Sequence, residues 1–238
     1  MATAEPAGFA RRSFVYRRLV GHGAVFAERG EAAIAEHFGA PEGEAMAAAR
    51  LGLADLSLAP RIGFKGRGAL AWLSGQGVRG LAEDNRADRQ SDGARAARLA
   101  PTEALILSDL AATSRLVERL GTTWRIETAR QCYLLPRADS HYWFHVSGER
   151  AAAMFAKLCG VDLRPDRFAS GAIAQTSIAR SNAIVIRNDL GETLGYDLLG
   201  DSASADYMWG CVLDAMAEFD GKPVGHAALR HLADGVDR

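Results

Sequence analysis

Two stretches of the chain repeat one plan: IGFKGRGALAWLSGQGV over 62–78 and WFHVSGERAAAMFAKLCGV over 143–161. Each runs an alternating strand pattern into a glycine and places an alanine three residues on, Gly66 to Ala69 and Gly148 to Ala151. Each then continues as an apolar helix and closes on Gly-Val. A strand and a helix of this kind both have an apolar side to bury, and neither buries it alone. Two copies predict an α+β fold with internally duplicated strand-helix units, in which antiparallel sheets carry helices packed on them.

The rest of the chain is compatible with such a core. With 238 residues, 48% of them hydrophobic and 24% charged, the chain has the composition of a folded protein. A net charge of -1 and a pI of about 6.6 provide no overall field for nucleic acid or an anionic membrane. No apolar run is long enough to span a bilayer, and the N-terminus lacks the apolar core of a secretory signal, so a cytoplasmic location is expected. Cys132, Cys159 and Cys211 show no CxxC spacing, which points to buried thiols in a reducing compartment.

Residues 1–13 read as a flexible arm and 14–38, alanine-rich and interrupted by Gly21 and Gly23, as irregular helix. A short helix over 44–51 is expected to bury Met46, Ala49 and Leu51. The segment 83–98, EDNRADRQSDGARAAR, has almost nothing to bury and reads as a surface loop. Its interleaved Asp84, Asp88 and Asp92 argue against nucleic acid, because phosphate binding needs uncompensated Lys and Arg. ARLAPTEALILS predicts a hairpin, and Asp109 a cap for a helix reaching Leu120. TWRIETA, CYLLP, HYWFHVSG, IAQTSIA, NAIVIRN and GYDLLG read as strands. A helix over 149–158 should turn Ala152, Phe155 and Ala156 inward. A last long helix, capped by Ser202 or Ser204, should bury Tyr207, Cys211, Leu213, Met216 and Phe219.

The chemical motifs are few. GRGALA, from Gly66 to Ala71, fits a loose dinucleotide pattern, but no parallel strand or ribose-binding acid follows, so the glycines are read as packing residues. His141 and His145 share one face of a strand at about 13 Å, with no third ligand placed by spacing, so no metal is expected. No nucleophile elbow is present, and Ser57 reads as a turn or cap.

The order of several segments resembles a known family. EAMAAARLGLADLSLAPRIGFKGRGALAWLSGQGV is similar to the entry region of the glycine-cleavage T-protein (aminomethyltransferase), and SFVYRRLVGHGAVFAERG is similar in layout. VDLRPDRFASGAIAQTSIARSNAIVIR, RLAPTEALIL and ADYMWGCVLDAMAEF resemble the gamma subunit of heterotetrameric sarcosine oxidase. The resemblance implies a T-protein-like folate-binding-domain fold and a setting in tetrahydrofolate one-carbon metabolism. It also implies larger flavoprotein subunits as partners, with the flavin sites on those chains. The expected organisation is a flexible arm over 1–13, one domain of two intertwined α+β halves over 14–222, and a C-terminal helix or tail over 223–238.

The loop NDLGETLGYDLLG, 188–200, is similar to the Tyr-Thr-Gly-Glu-x-Gly-Tyr-Glu segment of T-proteins, whose first Glu holds the pterin. Gly191-Glu192 matches Gly-Glu, and Gly195-Tyr196-Asp197 matches Gly-Tyr-Glu. Leu190 replaces the aromatic residue, one residue is missing before the Gly, and one is inserted after Glu192. The Asn-Asp-Val triplet that carries the T-protein's catalytic Asp reads Gln76-Gly77-Val78, and glycine can neither accept a proton nor stabilise an iminium. Gly191, Glu192 and Tyr196 therefore read as a vestigial pterin site. The chain is expected to be an accessory gamma-type subunit with no catalytic residues of its own, no metal and no firmly bound cofactor. Tetrahydrofolate is the one cofactor left open. The alternative is a stand-alone folate-binding aminomethyltransferase-like protein that uses Glu192.

Overall fold

Alternation along HYWFHVS marks an inner strand of the larger sheet. In the computed structural model, which describes residues 4–235, His141–Ser147 is a strand buried along almost its whole length. It pairs antiparallel with Gly195–Asp201 on one side and Gly52–Asp55 on the other. Ser181–Arg187, Ile173–Ile178 and the short Lys222–Pro223 complete a six-stranded sheet. The order is Ile173–Ile178, Ser181–Arg187, Gly195–Asp201, His141–Ser147, Gly52–Asp55, Lys222–Pro223; the last pairing is parallel, and the three from Ser181–Arg187 to Gly52–Asp55 are antiparallel.

The chain divides into two compact units. One gathers the chain up to Leu58, His141–Ser170 and the chain from Thr176; the other is Ala59–Ser140 with Gly171–Gln175. In the first unit Tyr142 stacks on Phe144, and Phe144 meets the edge of Trp209 from the helix Ala205–Ala217. Phe155, from the helix Ala151–Phe155, meets Tyr196 edge-on. These helices cover the sheet face that carries Tyr142, Phe144, Tyr196 and Leu198; by strand alternation Trp143, His145 and Asp197 lie on the other face. The helix Pro41–Leu51 packs on the helix His226–Asp234, where the Glu44 carboxylate accepts from Gly225 N–H at 2.9 Å.

The second unit is a five-stranded antiparallel sheet ordered Arg86–Arg89, Arg95–Ala100, Glu103–Leu107, Arg61–Lys65, Tyr133–Leu135. Its core joins Ile62, Phe64, Leu73, Ile106, Leu120 and Cys132, supplied in part by the helices Ala69–Gly75 and Leu116–Thr123. Each unit thus holds one of the repeated strand-helix units, and the fold is the α+β arrangement of antiparallel sheets and helices read from the sequence.

Several local expectations are corrected. Residues 14–38 form a short helix, Tyr16–Gly21, and then an antiparallel hairpin, Val25–Arg29 with Ala32–His37. Phe26 and Ile34 each lie opposite an alanine of the other strand, Ala35 and Ala27, so the alanines are the small partners of larger strand residues rather than a helical run. Residues 83–98 contain a hairpin rather than a loop, because Ala87, Ala94, Ala96 and Ala97 are small enough to be fully buried between charged neighbours. Asp109 does not cap a helix: its carboxylate accepts from Ser114 N–H at 2.7 Å and Thr113 Oγ1 at 2.8 Å, and holds the loop ahead of Leu116–Thr123.

TWRIETA passes from that helix into turns, not a strand. On three helices the expected inward face is met only in part: Leu51, Phe155 and Met216 are buried as expected, while the other buried positions are displaced by about one residue. Met46 is 74% exposed while Ala45, Ala48 and Leu51 are buried. Ala151, Met154 and Phe155 are the buried positions of their helix. In the long helix Met208, Trp209, Val212 and Met216 are buried and Tyr207 is largely exposed. Of the three thiols only Cys132 is buried, and burial pushes it up to about 11.

Candidate functional site

The loop 188–200 is a hairpin between Ser181–Arg187 and Gly195–Asp201. Leu190 and Thr193 exchange both backbone hydrogen bonds at 2.9 Å, which puts Gly191 and Glu192 at the two corners of the turn. Gly191 has φ +56, a left-handed value that glycine adopts without strain. Glu192 is exposed at the tip.

Tyr196 lies elsewhere. Its ring is fully buried against Phe155 and Phe168, and its hydroxyl donates to the Leu163 carbonyl. Burial pushes that phenol up to about 12. The structure therefore separates Tyr196, in the core, from Gly191 and Glu192, at the surface.

Asp197, at the next position, is the hub of a polar network that the sequence reading missed. Its Oδ1 accepts from Trp143 Nε1 at 3.0 Å and lies 2.8 Å from His145 Nδ1; its Oδ2 accepts from Asn188 Nδ2 at 2.8 Å. Asp197 and His145 are cross-strand partners, and both are buried almost completely. A carboxyl group removed from water is tolerable only with hydrogen-bond partners of this kind around it. Alternation along HYWFH did signal that residues 143 and 145 share a face, but no pattern in one sequence reveals which residue of another strand lies opposite.

The network extends into the hairpin. Asp189 accepts from Arg187 at 3.2 and 3.0 Å and from Gly195 N–H at 3.1 Å. Arg187 Nη1 donates to the carbonyls of Pro165 at 2.9 Å and Phe168 at 2.7 Å. Polar groups satisfied in this way fix a loop rather than leave it free to receive a ligand.

The other sequence signals also acquire structural roles. In GRGALA, Gly66 N–H donates to Thr102 O at 2.8 Å and Gly68 N–H to Gln131 O at 3.1 Å, so these donors are not presented to a phosphate. A side chain at Gly66 or Gly68 would strike the carbonyl of Gln131 or Arg130. Ser57 N–H donates to Asp55 Oδ1 at 3.0 Å, and Ser57 Oγ accepts from Trp143 N–H at 3.1 Å. Gly77, with φ +82, ends the helix Ala69–Gly75: Gly77 N–H donates to Ser74 O at 2.9 Å and Val78 N–H to Leu73 O at 3.1 Å, a Schellman closure.

Among the described residues no cluster of three His, Cys, Asp or Glu could hold a metal, and no helix is long and apolar enough to cross a membrane. A cleft of about 480 Å³ opens between the helix residues Glu149, Ala152 and Ala156 and the loop carrying Cys159, Asp162 and Arg164. Hydrogen bonds from Arg164 hold the Asp162 carboxyl down at about 2. Neither Glu192 nor Asp197 lines this cleft.

Known proteins share this architecture. The glycine cleavage system aminomethyltransferase T from Bartonella henselae superposes with a TM-score of 0.73 over 94% of this chain at 15% identity. The present chain spans 62% of that protein. A chain of the heterotetrameric sarcosine oxidase from Corynebacterium sp. U-96, solved in complex with pyrrole 2-carboxylate, superposes with a TM-score of 0.57 at 20% identity. That match covers 76% of this chain and 93% of the other. No curated protein matches by sequence. Residues 89–233, more than half of the chain, match the sequence model described as the GCVT N-terminal domain, and the chain belongs to that family.

Proposed function

We propose that the chain is an accessory, gamma-type subunit of a sarcosine-oxidase-like complex that oxidises N-methyl amines, with larger flavoprotein chains as partners and tetrahydrofolate one-carbon metabolism as its setting. The observation that carries the reading is the state of Asp197. The residue that matches the last acid of the T-protein segment is sealed by Trp143, His145 and Asn188. With Tyr196 turned into the core, Gly191, Glu192 and Tyr196 fit a vestige rather than a working pterin cradle.

Gly77 supports the same reading, since the position matching the T-protein's catalytic acid serves here as a helix terminator. Isolation from the native host under mild conditions tests the proposal. Larger flavin-containing chains should accompany this one in fixed ratio. A lone monomer that transfers a one-carbon unit from a methylamine donor to tetrahydrofolate would overturn it.

The second reading is a stand-alone folate-binding protein of aminomethyltransferase type. Its support is the accessibility of Glu192, whose carboxylate at an exposed turn could accept both donors of a pterin edge.

A further inference from the structure

From Pro6 to Ala27 the chain contains no Asp or Glu, yet it carries Arg11, Arg12, Arg17, Arg18 and His22. In a protein of net charge -1 this is a local concentration of positive charge. The segment is firmly placed: Ser13, Val15 and Leu19 are buried, and Arg18 forms a two-bond ion pair with Asp206, both at 2.7 Å. Arg12 and Arg17 are different. Both are exposed, and their guanidinium groups lie against the ring of Tyr16 at 5.2 and 5.5 Å from its centre. Arg17 Nε also donates to the Tyr16 hydroxyl at 3.2 Å. Among the described residues neither of the two meets a carboxylate. In the same stretch of chain Phe14 is 38% and Val20 51% exposed.

We infer that this face, with Phe14 and Val20 as apolar anchors and Arg12 and Arg17 as cations held on Tyr16, is the docking surface for an acidic patch on a larger partner chain. The inference rests on the accessory-subunit reading and names the surface that reading requires. Three features favour a protein partner. Arg and aromatic side chains are the residue types that dominate protein interfaces. Stacking on Tyr16 restrains the two guanidinium groups before binding, which lowers the ordering cost. Arg11, Arg12 and Arg17, the three exposed arginines of this stretch that meet no carboxylate among the described residues, are also few for phosphate tracking, and the six-residue helix Tyr16–Gly21 is too short to lie in a membrane surface as an amphipathic anchor.

The test uses the full chain, tagged and isolated with its complex from the native host, with a photo-crosslinking p-benzoylphenylalanine at Phe14 or, as control, at the exposed Met46. The Phe14 probe should join a flavin-bearing chain through a peptide rich in Asp and Glu, and the Met46 probe should not. The double variant Arg12→Glu, Arg17→Glu should keep the wild-type melting temperature and retain at least about tenfold less flavoprotein, because like charges then face each other. Flavoprotein that co-isolates but neither crosslinks at Phe14 nor responds to the double variant would overturn this surface and leave the accessory reading standing. Absence of any flavoprotein would overturn both. Crosslinking to a second copy, or binding to phosphatidylserine vesicles or single-stranded DNA that the double variant abolishes, would also overturn it by showing a different occupant.

Discussion

The two strand-glycine-helix units share a junction and differ in what surrounds it. Gly66 and Gly148 both take left-handed φ values, +128 and +110, and a methyl group on either would strike a backbone carbonyl, of Gln131 or of Arg50. Beyond the junction they diverge. The strand Arg61–Lys65 sends Ile62 and Phe64 into an apolar cluster. The strand His141–Ser147 has one apolar face and another on which His145 and Trp143 converge on Asp197. A local sequence device therefore sets the turn, while cross-strand register decides whether the sheet face behind it is apolar or polar. On that polar face the Asp197 carboxylate takes up Trp143 Nε1, His145 Nδ1 and Asn188 Nδ2, while His145 Nε2 is buried without a hydrogen-bond partner among the described residues.

The sharpest way to break this comparison is Asp197→Ala. It leaves three donors facing a dry space and should cost about 3–5 kcal/mol in urea unfolding, with Asp197→Asn intermediate because an amide oxygen still accepts. A cost below about 1 kcal/mol would mean that the network is not what orders the hairpin.

Acid should separate the two units next. Burial, with Arg29 and Arg230 nearby, lowers the His226 imidazole to about 4, while the Asp55 carbonyl and Glu36 act in the opposite direction. The folded state therefore disfavours the proton relative to the unfolded chain. Its stabilisation is complete above about pH 6.5 and is lost as pH falls towards 4, on the order of 3 kcal/mol in all. Ala59–Ser140 and Gly171–Gln175 contain no histidine. Amide exchange followed over that pH range should show protection falling in the helix His226–Asp234 and its neighbours before the second unit responds.

The shared junction predicts a matched pair. Gly66→Ala and Gly148→Ala should each destabilise by about 2 kcal/mol, since both combine a left-handed φ with a backbone clash. A large effect at one and none at the other, read by thermal unfolding, would show that the junctions are not equivalent. The smallest effect belongs to the hairpin tip: Glu192→Ala should change stability by less than about 0.5 kcal/mol.

Much of the fold was legible because it lies in local periodicity. The repeated junction, the strands HYWFHVS, IAQTSI and NAIVIR, and the last long helix all carry their pattern within a few residues. Burial at the helix faces was less legible: Met46 was expected inside on hydrophobicity, yet the small residues Ala45 and Ala48 occupy the buried positions. Residues 83–98 failed for a related reason, because alanines buried between charges leave little hydrophobic signal. At the site, the turn at Gly191-Glu192 was readable from its residue types. The burial of Tyr196 and the partners of Asp197 depend on long-range register and were not.

Calorimetric titration of 5-formyltetrahydrofolate into the wild-type chain tests the central claim most directly. With Asp197 sealed, Tyr196 in the core and Glu192 isolated at an exposed turn, the account predicts a flat titration for both wild type and Glu192→Ala. Wild-type binding that Glu192→Ala weakens by roughly ten- to a hundred-fold, the loss expected for a paired charge-assisted contact, would contradict it and establish the loop as a working pterin site.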